Sequence, residues 1–144
     1  MNEKKFHVGV KALIQNEEGK ILLVRVNTKE LKGNKHGAYW DIPGGRIKEG
    51  DDVERTLRKE IEEELGTNDI EIVKPFDSII SNIEIPVGNE KFGLVLAVYL
   101  CNLGTKKFKL SHEHTEFKWA SIDEAKELLS IKFPKSFTEK LDQL

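Results

Sequence analysis

The chain has 144 residues, 38% of them hydrophobic and 33% charged, with a formal net charge of −2. That length suffices for one domain with a real apolar core, and 1–144 is read as a single domain. The near-neutral balance excludes the basic excess typical of nucleic-acid binders, so no nucleic-acid partner is expected. No stretch approaches the roughly 20 apolar residues of a membrane span, and the N-terminus lacks a signal-peptide core. The expectation is a cytoplasmic protein with no membrane partner. The single cysteine, Cys101, excludes an internal disulfide and, within "GLVLAVYLCNL", reads as a small core residue.

Phe6–Gln15 is rich in β-branched and apolar residues and reads as a strand. The turn chemistry of "NEEGK" leads to Ile21–Val26, read as the second arm of a hairpin. Asn27–Tyr39 is polar and lysine-rich, and a loop of that length is often functional. After "WDIPGG", the capping-box spacing of Asp51 and Glu54 opens a helix of about 15 residues, with Gly66 as its C-cap. Strands are expected in Ile70–Ile85, broken at Pro75, in Phe92–Leu103 and in Thr115–Ile122. Ser121 and Glu124 form a second capping box before another helix, and "PKSFTEKLDQL" gives a third. Strands and helices mixed in this order imply an α/β architecture, a sheet sandwiched between helices.

The stretch "PGGRIKEGDDVERTLRKEIEEELGT", Pro43–Thr67, carries eight acidic residues. At about 100° per residue, Glu63 lies about −60° and Glu64 about 40° from Glu60, so three carboxylates share one face. Leu57, Ile61 and Leu65 form the adjoining apolar stripe, whereas Glu62 and Arg55 lie on the far side. Like charges beside a buried stripe repel, Lys59 next to Glu63 relieves part of that, and a hard divalent cation would relieve far more. A solvated acidic face laced with ion pairs fits the same pattern.

This stretch resembles the Nudix box, Gly, five residues, Glu, seven residues, Arg-Glu-aliphatic-x-Glu-Glu-x-Gly-aliphatic. Gly45, Asp51, Lys59, Glu60, Ile61, Glu63, Glu64 and Gly66 stand at the corresponding positions, and "WDIPGG" is similar to the family's lead-in. Three positions depart: Asp51 replaces Glu, Lys59 replaces Arg, and Thr67 replaces an aliphatic residue. Lys59 lacks the planar bidentate contact of Arg, and Asp51 is either a helix cap or part of the catalytic set.

The resemblance implies an α/β/α sandwich with a mixed β-sheet between helices. It also implies Mg²⁺- or Mn²⁺-dependent hydrolysis of a nucleoside diphosphate linked to another group. By position, Glu60 and Glu64 are implied metal ligands, Glu63 a ligand or water activator, and the Gly45 carbonyl a further ligand. Family members often add an acid from a later loop, for which Glu113 is preferred over Glu116. His112 and His114 are either substrate contacts or surface residues. Arg25 and Arg46 suit phosphate, with surface charge as the alternative for Arg46, and Trp40 suits base stacking.

The small-molecule substrate implied is a nucleoside triphosphate or a nucleotide sugar such as ADP-ribose. ADP-ribose hydrolases of the family often carry a proline about sixteen residues beyond the box, where this chain has none. A non-catalytic nucleotide-binding module on the same fold is the alternative, and a homodimer is frequent in the family.

Overall fold

The computed structural model describes residues 2–26, 37–104, 108–110 and 114–144. Strands β1 (Phe6–Ile14), β2 (Ile21–Val26), β3 (Trp40–Asp41) and β4 (Gly44–Arg46) precede helix α1 (Val53–Leu65). Strands β5 (Ile70–Ile80), β6 (Ile85–Val87), β7 (Glu90–Leu103) and β8 (His114–Ala120) follow. Helices α2 (Ile122–Leu128) and α3 (Lys135–Lys140) and a 3₁₀ turn, Leu141–Gln143, close the chain.

One sheet runs β4-β1-β7-β5 with β6 added on β7, and the other runs β3-β2-β8. The β1–β7 pair is parallel and the remaining pairs are antiparallel, so the sheet is mixed. Successive residues of β1 serve opposite faces. Leu13 joins Leu94, Leu96, Phe133 and Phe137 in one core, whereas Val10, Ala12 and Ile14 join Leu57, Ile61 and Leu65 of α1 in a second. Helices on both faces of β-structure give the expected sandwich.

The hairpin expected of β1 and β2 does not form. Asn16 turns the chain, its side chain accepting from the Glu18 and Lys20 amides, but only Gln15 and Ile21 bridge. Ile21, Leu22, Leu23 and Val24 are all fully buried, so β2 needs cover on both faces. Ile21 and Leu23 pack into the first core and Leu22 into the second, while β3 and β8 pair its two edges. Pro75 does not break β5. The strand lies at a sheet edge, and register shifts on either side of Pro75 absorb the missing N–H.

Helix α1 starts later than the spacing predicts. Gly50, at φ 86°, closes a turn in which the Asp51 amide donates to the Lys48 carbonyl at 3.0 Å. That turn holds Asp51 outside the helix, and Asp52 becomes the cap, accepting from the Arg55 amide at 2.8 Å. Gly66, at φ 68°, ends the helix as expected. Ser121 caps α2, its hydroxyl accepting from the Glu124 amide at 3.2 Å. Cys101 is a buried core thiol, and burial pushes its pKa up to about 12. No helix among the described residues is long and apolar enough to cross a membrane.

Candidate active site

Three carboxylates of α1 fall on the face deduced from periodicity, and their burial is graded. Leu57, Ile61 and Leu65 are fully buried, Glu62 and Arg55 are exposed, and the three acids span the range from buried to exposed. Glu64 is 3% exposed, Glu60 is intermediate and Glu63 faces solvent. Two glycines of β4 dictate the approach. The Gly44 amide donates to Glu64 Oε2 at 3.2 Å. A Cβ at Gly45 would lie 2.6 and 2.7 Å from the Glu60 carboxylate oxygens, so only glycine lets the acid rest against the strand.

Gly44 adopts φ 148° and packs so tightly on Lys11 that a side chain there would lie 2.8 Å from its Cα. Burial pushes the Glu64 pKa up to about 8, against the Lys11 ammonium and the Gly44 amide and with the help of Asp41 and Glu60. Among the described residues no three acidic, histidine or cysteine side chains converge into a ready cage for an ion.

Lys59 does not neutralise Glu63. Its ammonium lies 3.3 Å from Asp51 Oδ2, which Arg55 also approaches at 3.9 Å. Asp51 is thus an ion-pair partner tying the box turn to the second turn of α1, and Asp52 takes the capping role. Two of the three box positions that depart from the family pattern, Asp51 and Lys59, are each other's partners.

Other sequence candidates are dispersed. Arg25, Trp40 and Glu116 stand opposite one another across β2, β3 and β8. Arg25 is paired with Glu116 at 2.9 Å, so both its guanidinium and that acid are engaged. Trp40 packs against the first core as a half-buried wall. Arg46 is exposed, has no ion pair among the described residues, and shares a sheet face with Lys11 two strand positions away. Glu113 and His112 lie outside the described residues.

Sequence reasoning missed a buried ion cluster beside the acids. Lys11 Nζ and Lys132 Nζ both donate to Asp41 Oδ2, at 3.0 and 2.6 Å, and all three side chains are almost wholly buried. The Lys132 ammonium also lies 5.9 Å from the Tyr39 ring centroid. His114, at the start of β8, has an Nδ1 that is sealed from solvent and unpartnered. The residue as a whole is half-buried. The available signal was Lys11 itself, a charge within the apolar strand "FHVGVKALI".

A NUDIX domain model matches residues 5–141 of this chain. The chain belongs to the Nudix family. An RNA pyrophosphohydrolase of Pelagibacter ubique is 24% identical over 84% of this Nudix chain and 80% of its own length. Nudix hydrolase 6 of Arabidopsis thaliana is 28% identical over 81% of the chain, and an 8-oxo-dGTP diphosphatase of Haemophilus influenzae is 34% identical over 44%. The chain spans only 40% and 44% of the lengths of those two proteins. Among solved structures, the MutT protein of Methanosarcina mazei superposes with a TM-score of 0.66 at 27% identity, covering 99% of this chain and 95% of that one.

The box residues of this Nudix chain fit a hard divalent cation. Glu60 rests in a cradle that a Cβ at Gly45 would fill, and Glu64 beside it is a buried carboxyl with no ion pair among the described residues. Glu64 also gives a pH signature in metal-free protein. Its folded pKa exceeds its unfolded value, so the native state binds the extra proton between the two values. Its contribution to stability is full below the unfolded value and is lost as pH rises toward about 8. The melting temperature is expected to fall between about pH 4.5 and about pH 8, and Glu64→Gln is expected to flatten that slope.

Proposed function

We propose that this chain is a divalent-metal-dependent pyrophosphohydrolase, cleaving the P–O–P linkage of a nucleoside diphosphate derivative. The observation that carries the reading is the packing of Glu60 and Glu64 on the Gly44–Gly45 turn, with Glu63 exposed on the same helical face. Glu60, Glu64 and the Gly45 carbonyl would hold Mg²⁺ or Mn²⁺, with Glu63 as a further ligand or as the base. When bound, such an ion screens the polyanionic substrate and acidifies water. Glu63 accepts the proton of a water whose oxygen forms a bond to phosphorus while the bond to the bridging oxygen breaks. The Asp51–Lys59 pair keeps the box turn in place against α1, and Arg46, exposed and without an ion pair among the described residues, would meet phosphate oxygens.

The name of one relative, an 8-oxo-dGTP diphosphatase, supports a small nucleotide as the substrate, whereas that of another, an RNA pyrophosphohydrolase, has in common with it only the pyrophosphate linkage. A nucleoside triphosphate or a nucleotide sugar such as ADP-ribose meets that description. The reading is tested by incubating the protein with Mg²⁺ and a panel of both kinds, and measuring released phosphate and pyrophosphate. Turnover of at least one member is expected, and removal of the ion with a chelator should stop it. Absence of turnover across the panel, with no Mg²⁺ binding by calorimetry, would favour a second reading, a non-catalytic nucleotide-binding module. The observation on that side is the lack of a converged acid cage among the described residues.

A further inference from the structure

Asp41 holds one more buried ammonium than its charge requires. Lys11 Nζ, at 3.0 Å, already balances the carboxylate, and Lys132 Nζ adds a second positive charge at 2.6 Å. Both lysines are buried. A second interior ammonium is costly to desolvate, so its presence is weak evidence of a stabilising role. Its attachments at either end point to another one.

At one end, the backbone that carries Lys132 is held firmly. Its carbonyl accepts from the Ser81 hydroxyl at 2.8 Å and from the Asn82 amide at 2.9 Å, directly after β5. The Asn82 side-chain amide donates to the carbonyls of Ser130 and Phe133, on either side of Lys132, at 3.2 and 3.0 Å. Phe133 is itself buried and stacks on Phe137, with ring centroids 4.7 Å apart. The ammonium is thus delivered to Asp41 from a fixed point of the α2–α3 connection.

At the other end lies the acid site. From Asp41 the chain runs through Ile42 and Pro43 to the glycine pair. Asp41 Oδ1 accepts from the Ile42 amide at 2.8 Å, the Ile42 side chain is fully buried, and the Pro43 carbonyl accepts from the Ala12 amide at 2.7 Å. A Cβ at Gly44 would lie 2.8 Å from both Cα and Cδ of Lys11, so this strap has no slack against β1. Gly44 then donates to Glu64, and Gly45 seats Glu60. A displacement of Asp41 is passed along the strap to both carboxylates.

We propose that Lys132 is a positioning residue for the cation site: through Asp41 it fixes the Gly44–Gly45 turn, and with it the placement of Glu60 and Glu64. Lys132 touches neither acid and acts only through the strap. Partners that orient a metal's ligands from behind commonly set its affinity as strongly as this. The α2–α3 connection, remote from the box in sequence, is thereby coupled to cation binding.

This inference rests on the reading of the two acids as cation ligands, and its test separates the two. Metal-free Lys132→Met is compared with the unmodified protein by amide hydrogen exchange and by calorimetry with Mg²⁺. Lys140→Met is the control, because it removes a lysine that donates to the Phe76 carbonyl, away from the strap. In Lys132→Met the Gly44 amide is expected to exchange at least about tenfold faster, beyond any change in the β7 amides, which report general loss of stability. The Mg²⁺ Kd is expected to rise about tenfold in Lys132→Met and to stay within about twofold in Lys140→Met. Lys132→Gln, with a polar head on a shorter arm, serves if the first variant does not fold, and should move both readouts the same way. A Gly44 amide that merely follows β7, or a Mg²⁺ affinity that is unchanged or falls equally in the control, overturns the positioning role and leaves the hydrolase. An unmodified protein that binds no Mg²⁺ overturns the reading of the acids, and this inference with it.

Discussion

Glu63→Gln is expected to lower turnover by about 10²- to 10⁴-fold while leaving the melting temperature unchanged. Glu63 is exposed and makes no hydrogen bond or ion pair among the described residues, so replacing its carboxylate with an amide removes nothing that holds the fold. It nevertheless shares the helical face of Glu60 and Glu64, where a proton acceptor beside an activated water is required. The comparison with Glu64→Gln is informative. Glutamine can still accept from the Gly44 amide, so that variant should also fold, but the site loses a buried anionic ligand and Mg²⁺ affinity should drop with turnover. The checks are kcat with saturating nucleotide and Mg²⁺, and a thermal melt of each protein. A Glu63→Gln enzyme that keeps its kcat would move the base elsewhere.

Asp41→Asn is expected to destabilise the fold by about 3–5 kcal/mol, read as a lower midpoint in urea unfolding. The carboxylate is 3% exposed and accepts from two ammoniums that are themselves 6% and 8% exposed. Without its charge, two like charges remain buried with no counter-ion. Lys132→Met should cost less, because Asp41 keeps Lys11, and adding it to Asp41→Asn should recover part of the loss by removing one of the stranded charges. The acid limb of stability follows from the same cluster. Burial alone would raise the Asp41 pKa, but Lys11 and Lys132 outweigh it and hold the carboxyl well below the usual range. Its contribution is therefore present above the unfolded carboxylate value and is lost as pH falls through the lower folded value.

The acidic helix was legible from residue order because a single helix obeys a local rule. Periodicity placed Leu57, Ile61 and Leu65 inward and Glu60, Glu63 and Glu64 beside them, and that is where they stand. The cap at Asp52 was missed by one residue, since Asp51 and Asp52 have equal chemistry and only the turn at Gly50 separates them. Pairings across strands were less legible. Arg25 read as a free phosphate ligand until β8 brought Glu116 beside it, 91 positions away in the chain.

By itself the sequence determined the family, the helix with its acid face, and the glycine pair that those acids need, because each is encoded within one short segment. Tertiary structure decided that β2 leaves its apparent hairpin, that Lys59 serves Asp51, and that Lys11 and Lys132 meet on Asp41. The Lys132–Asp41 contact alone joins positions 91 residues apart. Such contacts arise from burying apolar faces in common cores, and no local pattern of charge or spacing carries that information.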